Sequence, residues 1–126
     1  GAKKVIMLNV SGAFHSSLMD SASNEFKTFV DSLNIQDAKI PVITNVDACE
    51  TILASDFKQK MPNQINSSVK WVDSINKMID SGIDTFVELG AGKVLSGLVK
   101  KINKEVKVYN VQDMDSLNKT YESLNV

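Results

Sequence analysis

Short apolar runs and longer amphipathic stretches alternate along the chain. Four runs rich in strand-forming residues predict strands at Val5–Val10, Ile40–Val46, Asp84–Leu89 and Val106–Val111. Pro41 lies at the start of the second run, where a missing amide hydrogen is tolerated. Because short continuous apolar runs are typical of strands covered on both faces, the first run, Val5–Val10, predicts a buried strand.

The helical spacing of apolar residues predicts helices between these strands. An amphipathic helix is expected from about Ser16 to Leu33. A short helix is expected from Ser55 to about Lys60, and Pro62 is predicted to interrupt it. Ser67 or Ser68 caps the next helix, whose predicted inward face consists of Val72, Ile75, Met78 and Ile79.

Glycine and aspartate residues mark the ends of the remaining elements. Gly82 is expected to stop the helix that follows Ser68. Asp113 or Asp115 opens a last helix around Leu117, Tyr121 and Leu124. Gly90-Ala-Gly92 leads from the third strand into a helix that carries Val94, Leu95, Leu98, Val99 and Ile102. Strands that alternate with helices predict an α/β fold, with a mostly parallel sheet flanked by helices.

Length and composition fit one domain of this class. Of 126 residues, 43% are apolar and 23% are charged, which argues against a disordered or fibrous chain. A net charge of -1 argues against a general nucleic-acid surface, and all 14 basic residues are lysines. One cysteine excludes an internal disulfide framework, and no apolar run approaches the roughly 20 residues that span a bilayer. We therefore expect a soluble, cytoplasmic protein.

The single histidine, His15, lies where the first predicted strand meets the first predicted helix. Binding and catalytic groups collect at strand ends in α/β proteins, and an imidazole there can act as a general base or acid near neutral pH. Residue chemistry alone leaves the assignment open, because a surface or helix-capping histidine fits the same position.

Other candidate groups carry weaker signals. Gly90-Ala-Gly92-Lys93 lacks Walker spacing, and Leu95 stands where a dinucleotide fingerprint needs a small residue. We interpret this segment as a tight turn, although the helix after it offers amides to an anion. Cys49 has no basic neighbour in the sequence, and the scattered carboxylates show no metal-ligand spacing. Trp71 is predicted to be a packing residue.

Four segments together resemble malonyl-CoA:acyl-carrier-protein transacylases, the acyltransferases of fatty-acid and polyketide synthesis. Their order and spacing agree with that family, the first and fourth are the more specific, and the likeness runs nearly from end to end of the chain. The segments are Val10-Ser-Gly-Ala-Phe-His-Ser-Ser-Leu-Met19, Ile40-Pro-Val-Ile-Thr-Asn-Val46, Gln64-Ile-Asn-Ser-Ser-Val-Lys-Trp71 and Val87-Glu-Leu-Gly-Ala-Gly-Lys-Val-Leu-Ser-Gly-Leu98.

The resemblance implies a ping-pong transfer of malonyl from coenzyme A to the phosphopantetheine thiol of acyl carrier protein, through an ester on a serine. It makes His15 the base that activates the serine and later the thiol. It makes the backbone carbonyl of Gln64 the group that orients the imidazole. Phe14 stands where malonyl-selective members carry an aromatic residue, which implies malonyl over methylmalonyl. It implies no metal or redox cofactor.

The sequence departs from the family in its turns and in what it lacks. Ser17, Ser68 and Ala91 stand where the family usually has proline. The sequence holds no Gly-x-Ser-x-Gly elbow and no arginine to bind the malonyl carboxylate. It also lacks the early glutamine loop that contributes to the family's oxyanion hole. We therefore expect the C-terminal part of an enzyme, inactive without the polypeptide that carries the serine.

The resemblance also divides the chain. Residues 1–9 are expected to be the end of a small ferredoxin-like subdomain with its return strand. Residues 10–126 are expected to be the C-terminal portion of a large, hydrolase-like α/β subdomain. Two alternatives remain open, namely a non-catalytic module that binds a carrier protein, and an acyl-CoA hydrolase whose nucleophile comes from another chain.

Overall fold

A computed structural model of the protein describes Val5 and residues 12–124. The first predicted strand, Val5–Val10, therefore lies outside the described residues except for Val5. The chain forms two compact units, one ending at Lys70 and the other beginning at Trp71, and each is described by itself.

The first unit is built on two long helices. A 3-10 turn, Ser17–Met19, leads into helix α1, Asp20–Ser32, and the second helix, α2, is Ala54–Asn66. Between them lie two short strands, β1, Val42–Ile43, and β2, Glu50–Thr51, which pair in antiparallel register. The helices are antiparallel, because contacts join the end of α1 to the start of α2 and the start of α1 to the end of α2.

The predicted strand Ile40–Val46 is much shorter in the structure and is not part of a parallel sheet. A turn reverses the chain directly after β1. In this turn the Thr44 carbonyl accepts from the Ala48 amide, and the Asp47 carboxylate accepts from the Thr44 hydroxyl at 2.7 Å and the Cys49 amide at 3.0 Å. Local hydrogen bonding by the aspartate therefore ends the strand sooner than the apolar run predicts.

Helix α2 continues through Pro62, so the predicted interruption at this residue is wrong. The Pro62 ring is fully buried, and its carbonyl oxygen accepts a 2.9 Å hydrogen bond from the buried Ser23 hydroxyl of α1. Proline removes one helical hydrogen bond, but packing against α1 holds the helix together at this point. Tertiary contact thus overrides local propensity here.

The second unit is a strand–helix–strand motif with a helix on either side of it in sequence. Its elements are α3, Trp71–Asp80; β3, Thr85–Leu89; α4, Val94–Ile102; β4, Lys107–Val111; and α5, Met114–Leu124. Strands β3 and β4 are parallel, with Thr85 opposite Lys107 and Leu89 opposite Val111. The prediction of a mixed α/β fold with parallel strands is confirmed for this unit.

The core of the second unit lies between its helices and strands. Ile75, Val99 and Val106 are buried, and Trp71 packs against them as predicted. Val72, by contrast, is 53% exposed, so its place on the predicted inward face is wrong. Trp71 covers that position instead, because residues four apart, such as Trp71 and Ile75, share a face of the helix.

Local signals set the ends of the helices in this unit. After α3, Gly82 has a φ of 91°, its amide donates to the Ile79 carbonyl, and the Ile83 amide donates to the Met78 carbonyl. That pair of bonds is the Schellman motif expected from the glycine. At the start of α5 the Asp113 carboxylate accepts from the Ser116 amide at 2.8 Å, while the Asp113 amide donates to the Ser116 hydroxyl. Both predicted helix ends are confirmed.

Candidate active site

His15 occupies an unusual backbone conformation just before the 3-10 turn. Its φ is 64°, in the left-handed region that residues other than glycine enter rarely. Such a conformation costs on the order of 1 kcal/mol or more and persists only where surrounding contacts enforce it. The contacts that enforce it here come from the end of α2.

Two carbonyl groups at the C-terminus of α2 hold His15. Its amide donates to the Ile65 carbonyl oxygen at 2.8 Å, and its ring nitrogen Nδ1 lies 3.0 Å from the Ser67 carbonyl oxygen. The last carbonyls of a helix have no partner within the helix, so they are free to accept these hydrogens. The sequence between His15 and Ser67 spans most of the first unit, and folding brings the two together.

This geometry assigns the imidazole tautomer. A carbonyl oxygen can only accept a hydrogen bond, so the neutral ring carries its hydrogen on Nδ1. Nε2 then keeps its lone pair and can take a proton from a hydroxyl or a thiol. A histidine oriented by a backbone carbonyl therefore has the protonation state that a general base needs, without a carboxylate beside it.

Phe14, the neighbouring candidate, is 60% exposed, and its ring lies over Gly12. A Cβ atom added at Gly12 would come within 3.2 Å of the Phe14 ring. An alanine at position 12 would therefore require the exposed Phe14 ring to shift by a few tenths of an ångström. Its predicted role in selecting malonyl stays a prediction.

Gln64, the third candidate, lies in the last turn of α2. The hydrogen bond that the structure shows at Nδ1 goes to the carbonyl of Ser67, three residues later in the chain. The orienting role that the resemblance gives to the Gln64 carbonyl stays a prediction. The sequence singled out Ser67 only as a candidate helix cap and not as a partner of His15, because a backbone carbonyl is common to all residues and leaves no signature.

Side chains of the same unit form hydrogen bonds with the backbone of the Gly90-Ala-Gly92 turn. Gly90 and Gly92 have φ values of 139° and 84°. The Asn110 amide donates to the Gly92 carbonyl at 2.7 Å, and the Gln112 side-chain oxygen accepts from the Gly92 amide at 3.1 Å. The interpretation as a tight turn is supported by these contacts.

Glu88 occupies the N-terminus of α4, where an anion was a possible ligand. Its carboxylate accepts from the Ser96 hydroxyl at 2.5 Å, the Ser96 amide at 2.8 Å and the Leu95 amide at 3.1 Å. These bonds, the hydroxyl first, lower the pKa of Glu88. Because the protein's own carboxylate accepts from the Leu95 and Ser96 amides, these two amides are not open to another anion.

Cys49 and Asp47 belong to the turn after β1. The exposed Cys49 thiol lies 3.5 Å from the Asp47 carbonyl oxygen. The Asp47 carboxylate forms a 2.9 Å ion pair with Lys60. Burial opposes its ionisation, but hydrogen bonds from Lys60 and Thr44 outweigh that effect and lower the pKa of Asp47 to about 2. These contacts stabilise the turn.

Two features are absent from Val5 and residues 12–124. Across those residues, no group of three or more histidine, cysteine, aspartate or glutamate side chains has the arrangement to hold a metal ion. Within the same part of the chain, none of the helices combines the length and apolarity needed to cross a membrane.

Comparison with known proteins identifies the relatives of this chain. It is 45% identical over 124 residues to a malonyl CoA-acyl carrier protein transacylase of Bacillus subtilis, covering 98% of this chain and 39% of that protein. It is 43% identical over 117 residues to the Staphylococcus aureus protein of the same name, covering 93% and 38%. Malonyl-CoA:acyl-carrier-protein transacylases are its relatives. No family model matches the chain.

Solved structures of these transacylases agree with that result. The Streptococcus pneumoniae structure superimposes with a TM-score of 0.92 at 36% identity, over 98% of this chain and 40% of that one. The Clostridium perfringens structure gives 0.88 at 40% identity, over 95% and 38%. The resemblance drawn from the four segments is confirmed, and the chain spans about two-fifths of the length of the transacylases that it matches.

Proposed function

We propose that this chain is the C-terminal part of a malonyltransferase that moves malonyl from coenzyme A to the phosphopantetheine thiol of acyl carrier protein. The observation that carries the proposal is the imidazole of His15, oriented through Nδ1 by the Ser67 carbonyl with Nε2 left as a proton acceptor. The likeness to the Bacillus subtilis and Staphylococcus aureus transacylases supplies the reaction class.

In the proposed mechanism His15 moves one proton in each half of a ping-pong cycle. Nε2 takes the proton of a serine hydroxyl as its oxygen attacks the malonyl thioester carbonyl. The carbon–sulfur bond breaks, and the imidazolium returns the proton to the coenzyme A sulfur. The second half runs in reverse, with the phosphopantetheine thiol giving its proton to Nε2 and attacking the malonyl-serine ester.

The serine is proposed to come from polypeptide outside these 126 residues, since the sequence holds no Gly-x-Ser-x-Gly elbow. In the same proposal, residues 10–126 are part of the large, hydrolase-like subdomain, and residues 1–9 end the small ferredoxin-like one. The Phe14 ring leaves little room for an α-methyl group in the acyl site and so favours malonyl over methylmalonyl. The orienting role that the resemblance gives to the Gln64 carbonyl stays a prediction, beside the Ser67 carbonyl that lies at Nδ1.

Acyl carrier protein is the proposed partner. One relative, 28% identical with a TM-score of 0.92, was solved as a type II polyketide acyl-carrier protein in complex with its malonyl-transacylase. The likeness covers 98% of this chain. That complex supports the choice of a carrier protein as the acceptor for the malonyl group.

Serine acylation in the complete protein tests the role of His15. His15→Ala should lower the rate of labelling by radioactive malonyl-CoA about 1000-fold, the scale of a lost general base, while circular dichroism stays unchanged. Cys49→Ser is the matched control, because it removes the chain's only thiol and should label normally. Normal labelling of His15→Ala would refute the role.

The 126-residue chain alone tests whether it needs the missing nucleophile. Incubated with malonyl-CoA and holo carrier protein, it should form no malonyl-carrier thioester, because a base without a nucleophile gives no acyl-enzyme. Carrier turnover by this chain would contradict the proposal. Release of free malonate by the complete protein, with none passed to the thiol, would favour the hydrolase alternative.

A further inference from the structure

Three consecutive residues at the end of α2 each hold a different atom of the segment that carries His15. The Ile65 carbonyl accepts from the His15 amide, and the Ser67 carbonyl lies at the His15 ring. Between them, the side-chain amide of Asn66 donates to the Asp20 carboxylate at 2.8 Å. Asn66 therefore joins the last turn of α2 to the first residue of α1.

Two other hydrogen bonds between α1 and α2 lie away from that last turn. The Ser23 hydroxyl bonds to the Pro62 carbonyl one helical turn earlier, and the Lys58 ammonium bonds to the Asp31 carbonyl near the far end of the pair. These bonds align the bodies of the two helices. Helix ends fray more easily than helix bodies, so the turn that presents the Ile65 and Ser67 carbonyls needs an attachment of its own.

The polarity of the two helix ends favours this attachment. Asp20 lies in the first turn of α1, where the helix dipole stabilises a carboxylate. Asn66 lies in the last turn of α2, where the dipole favours a group that offers hydrogens. The hydrogen bond thus joins a favoured acceptor to a favoured donor.

The orientation of the His15 ring rests on a hydrogen bond at an exposed site. His15 is exposed, and its backbone is in the left-handed region. A single hydrogen bond to an exposed ring competes with water and gives little net stabilisation. A second link between the same two segments reduces the freedom that the ring bond would otherwise have to restrict.

We propose that Asp20 and Asn66 are positioning residues, whose hydrogen bond keeps the Ser67 carbonyl at Nδ1 of His15 and so holds the ring as the Nδ1–H tautomer. The pair touches neither substrate nor the reacting atoms. Its importance for transfer rests on the proposed function, whereas its effect on the tautomer does not.

Nitrogen-15 NMR of the complete protein, labelled at histidine, measures the tautomer directly. The His15 signals are assigned by their loss in His15→Ala. Asn66→Asp places a second carboxylate against Asp20, and we expect the ratio of Nδ1–H to Nε2–H tautomer to fall about fivefold, the scale of one net hydrogen bond. The double variant with Asn66→Asp and Asp20→Asn exchanges the donor and the acceptor of this hydrogen bond, and it should restore the ratio.

Asp31→Asn is the control, because it makes the same side-chain change at the other end of α1, where Asp31 pairs with Lys27. It should leave the tautomer ratio unchanged. If Asn66→Asp fails to fold, Asn66→Ala and Asp20→Ala replace it and should each lower the ratio.

Two outcomes overturn the proposal. One is an unchanged tautomer ratio in Asn66→Asp, and the other is an equal loss in Asn66→Asp and in the double variant with Asp20→Asn.

An assay of malonyl transfer separates this proposal from the proposed transferase function. Loss and rescue of the tautomer in a protein that transfers no malonyl would refute the transferase and leave the positioning pair standing. Normal malonyl transfer, together with a tautomer ratio that does not change in Asn66→Asp, would refute the positioning pair and leave the transferase standing.

Discussion

The His15 segment and the Gly90–Gly92 turn each lead into a helical segment, yet their polar groups are used differently. In the glycine turn, the side chains of Asn110 and Gln112 bind the Gly92 carbonyl and amide, and Glu88 binds two amides at the start of α4. At His15, the backbone and Nδ1 are held by distant carbonyls. Nε2 is left to accept a proton.

That difference separates a structural turn from a candidate catalytic one. Glycine-rich turns before helices attract functional interpretations because their amides can bind anions. When the protein supplies its own carboxylate, that capacity is used up. A candidate catalytic group is better identified by a fixed orientation combined with one unused hydrogen-bonding atom, and His15 has both.

Backbone substitution in the glycine turn should give the largest effect on stability. At Gly90, with a φ of 139°, an added Cβ meets nothing within 4 Å, so Gly90→Ala carries a purely conformational cost. We expect it to lower the free energy of unfolding by about 2 kcal/mol, measured by urea titration.

Gly97 is the matched control for that change. It lies inside α4, and an added Cβ there also meets nothing within 4 Å. Gly97→Ala should stabilise the protein by up to about 1 kcal/mol, because alanine is the better helix former. Unchanged stability in Gly90→Ala would contradict the conformational cost assigned to the turn.

Acid should weaken the turn after β1 through Asp47. The pKa of Asp47 is about 2 in the fold against an ordinary 3.8, so its ionisation stabilises the protein above about pH 4. That contribution is lost as the pH falls from about 4 to 2. The carboxylate is about one-third exposed, so solvent screening limits the contribution to about 1 kcal/mol.

Urea unfolding at about pH 6 and pH 3 measures this contribution. Asp47→Asn should flatten the pH dependence relative to the unaltered protein, and Lys60→Met should do so partly, since it removes one of the contacts that lower the pKa. An identical acid profile in Asp47→Asn would contradict the assignment.

Relief of backbone strain at His15 should give the smallest effect. His15→Gly and His15→Ala both remove the ring, but only glycine adopts a φ of 64° without cost. We expect the free energy of unfolding of His15→Gly to exceed that of His15→Ala by up to about 1 kcal/mol, even though glycine is more flexible in the unfolded chain. If alanine proves the more stable, the left-handed conformation is not strained.

Local signals predicted much of the second unit from the sequence. Gly82 and Asp113 end and begin helices by bonds within a few residues, and the parallel strands follow from short apolar runs on either side of a helix. Pro62 and the strand Ile40–Val46 were predicted less well. Packing against α1 keeps the helix continuous through Pro62, and the Asp47 turn shortens the predicted strand.

The site was predictable only in part. His15 stands out as the single histidine, and the family resemblance gives it a role. Its left-handed backbone and the carbonyl of Ser67 left no trace in the sequence, because they arise from contacts between segments about 50 residues apart. Side-chain chemistry can be predicted from a sequence, whereas the identity of a backbone group that contacts a distant residue becomes known only from the structure.

Trp71, the only tryptophan, lies against the buried core of the second unit. Among the residues that the structure describes, its buried indole N–H has no acceptor. Its fluorescence therefore senses water entering that core, while the lone imidazole resonances sense the other unit. Denaturation of one sample, followed with both signals, can reveal whether the two units unfold together or one after the other.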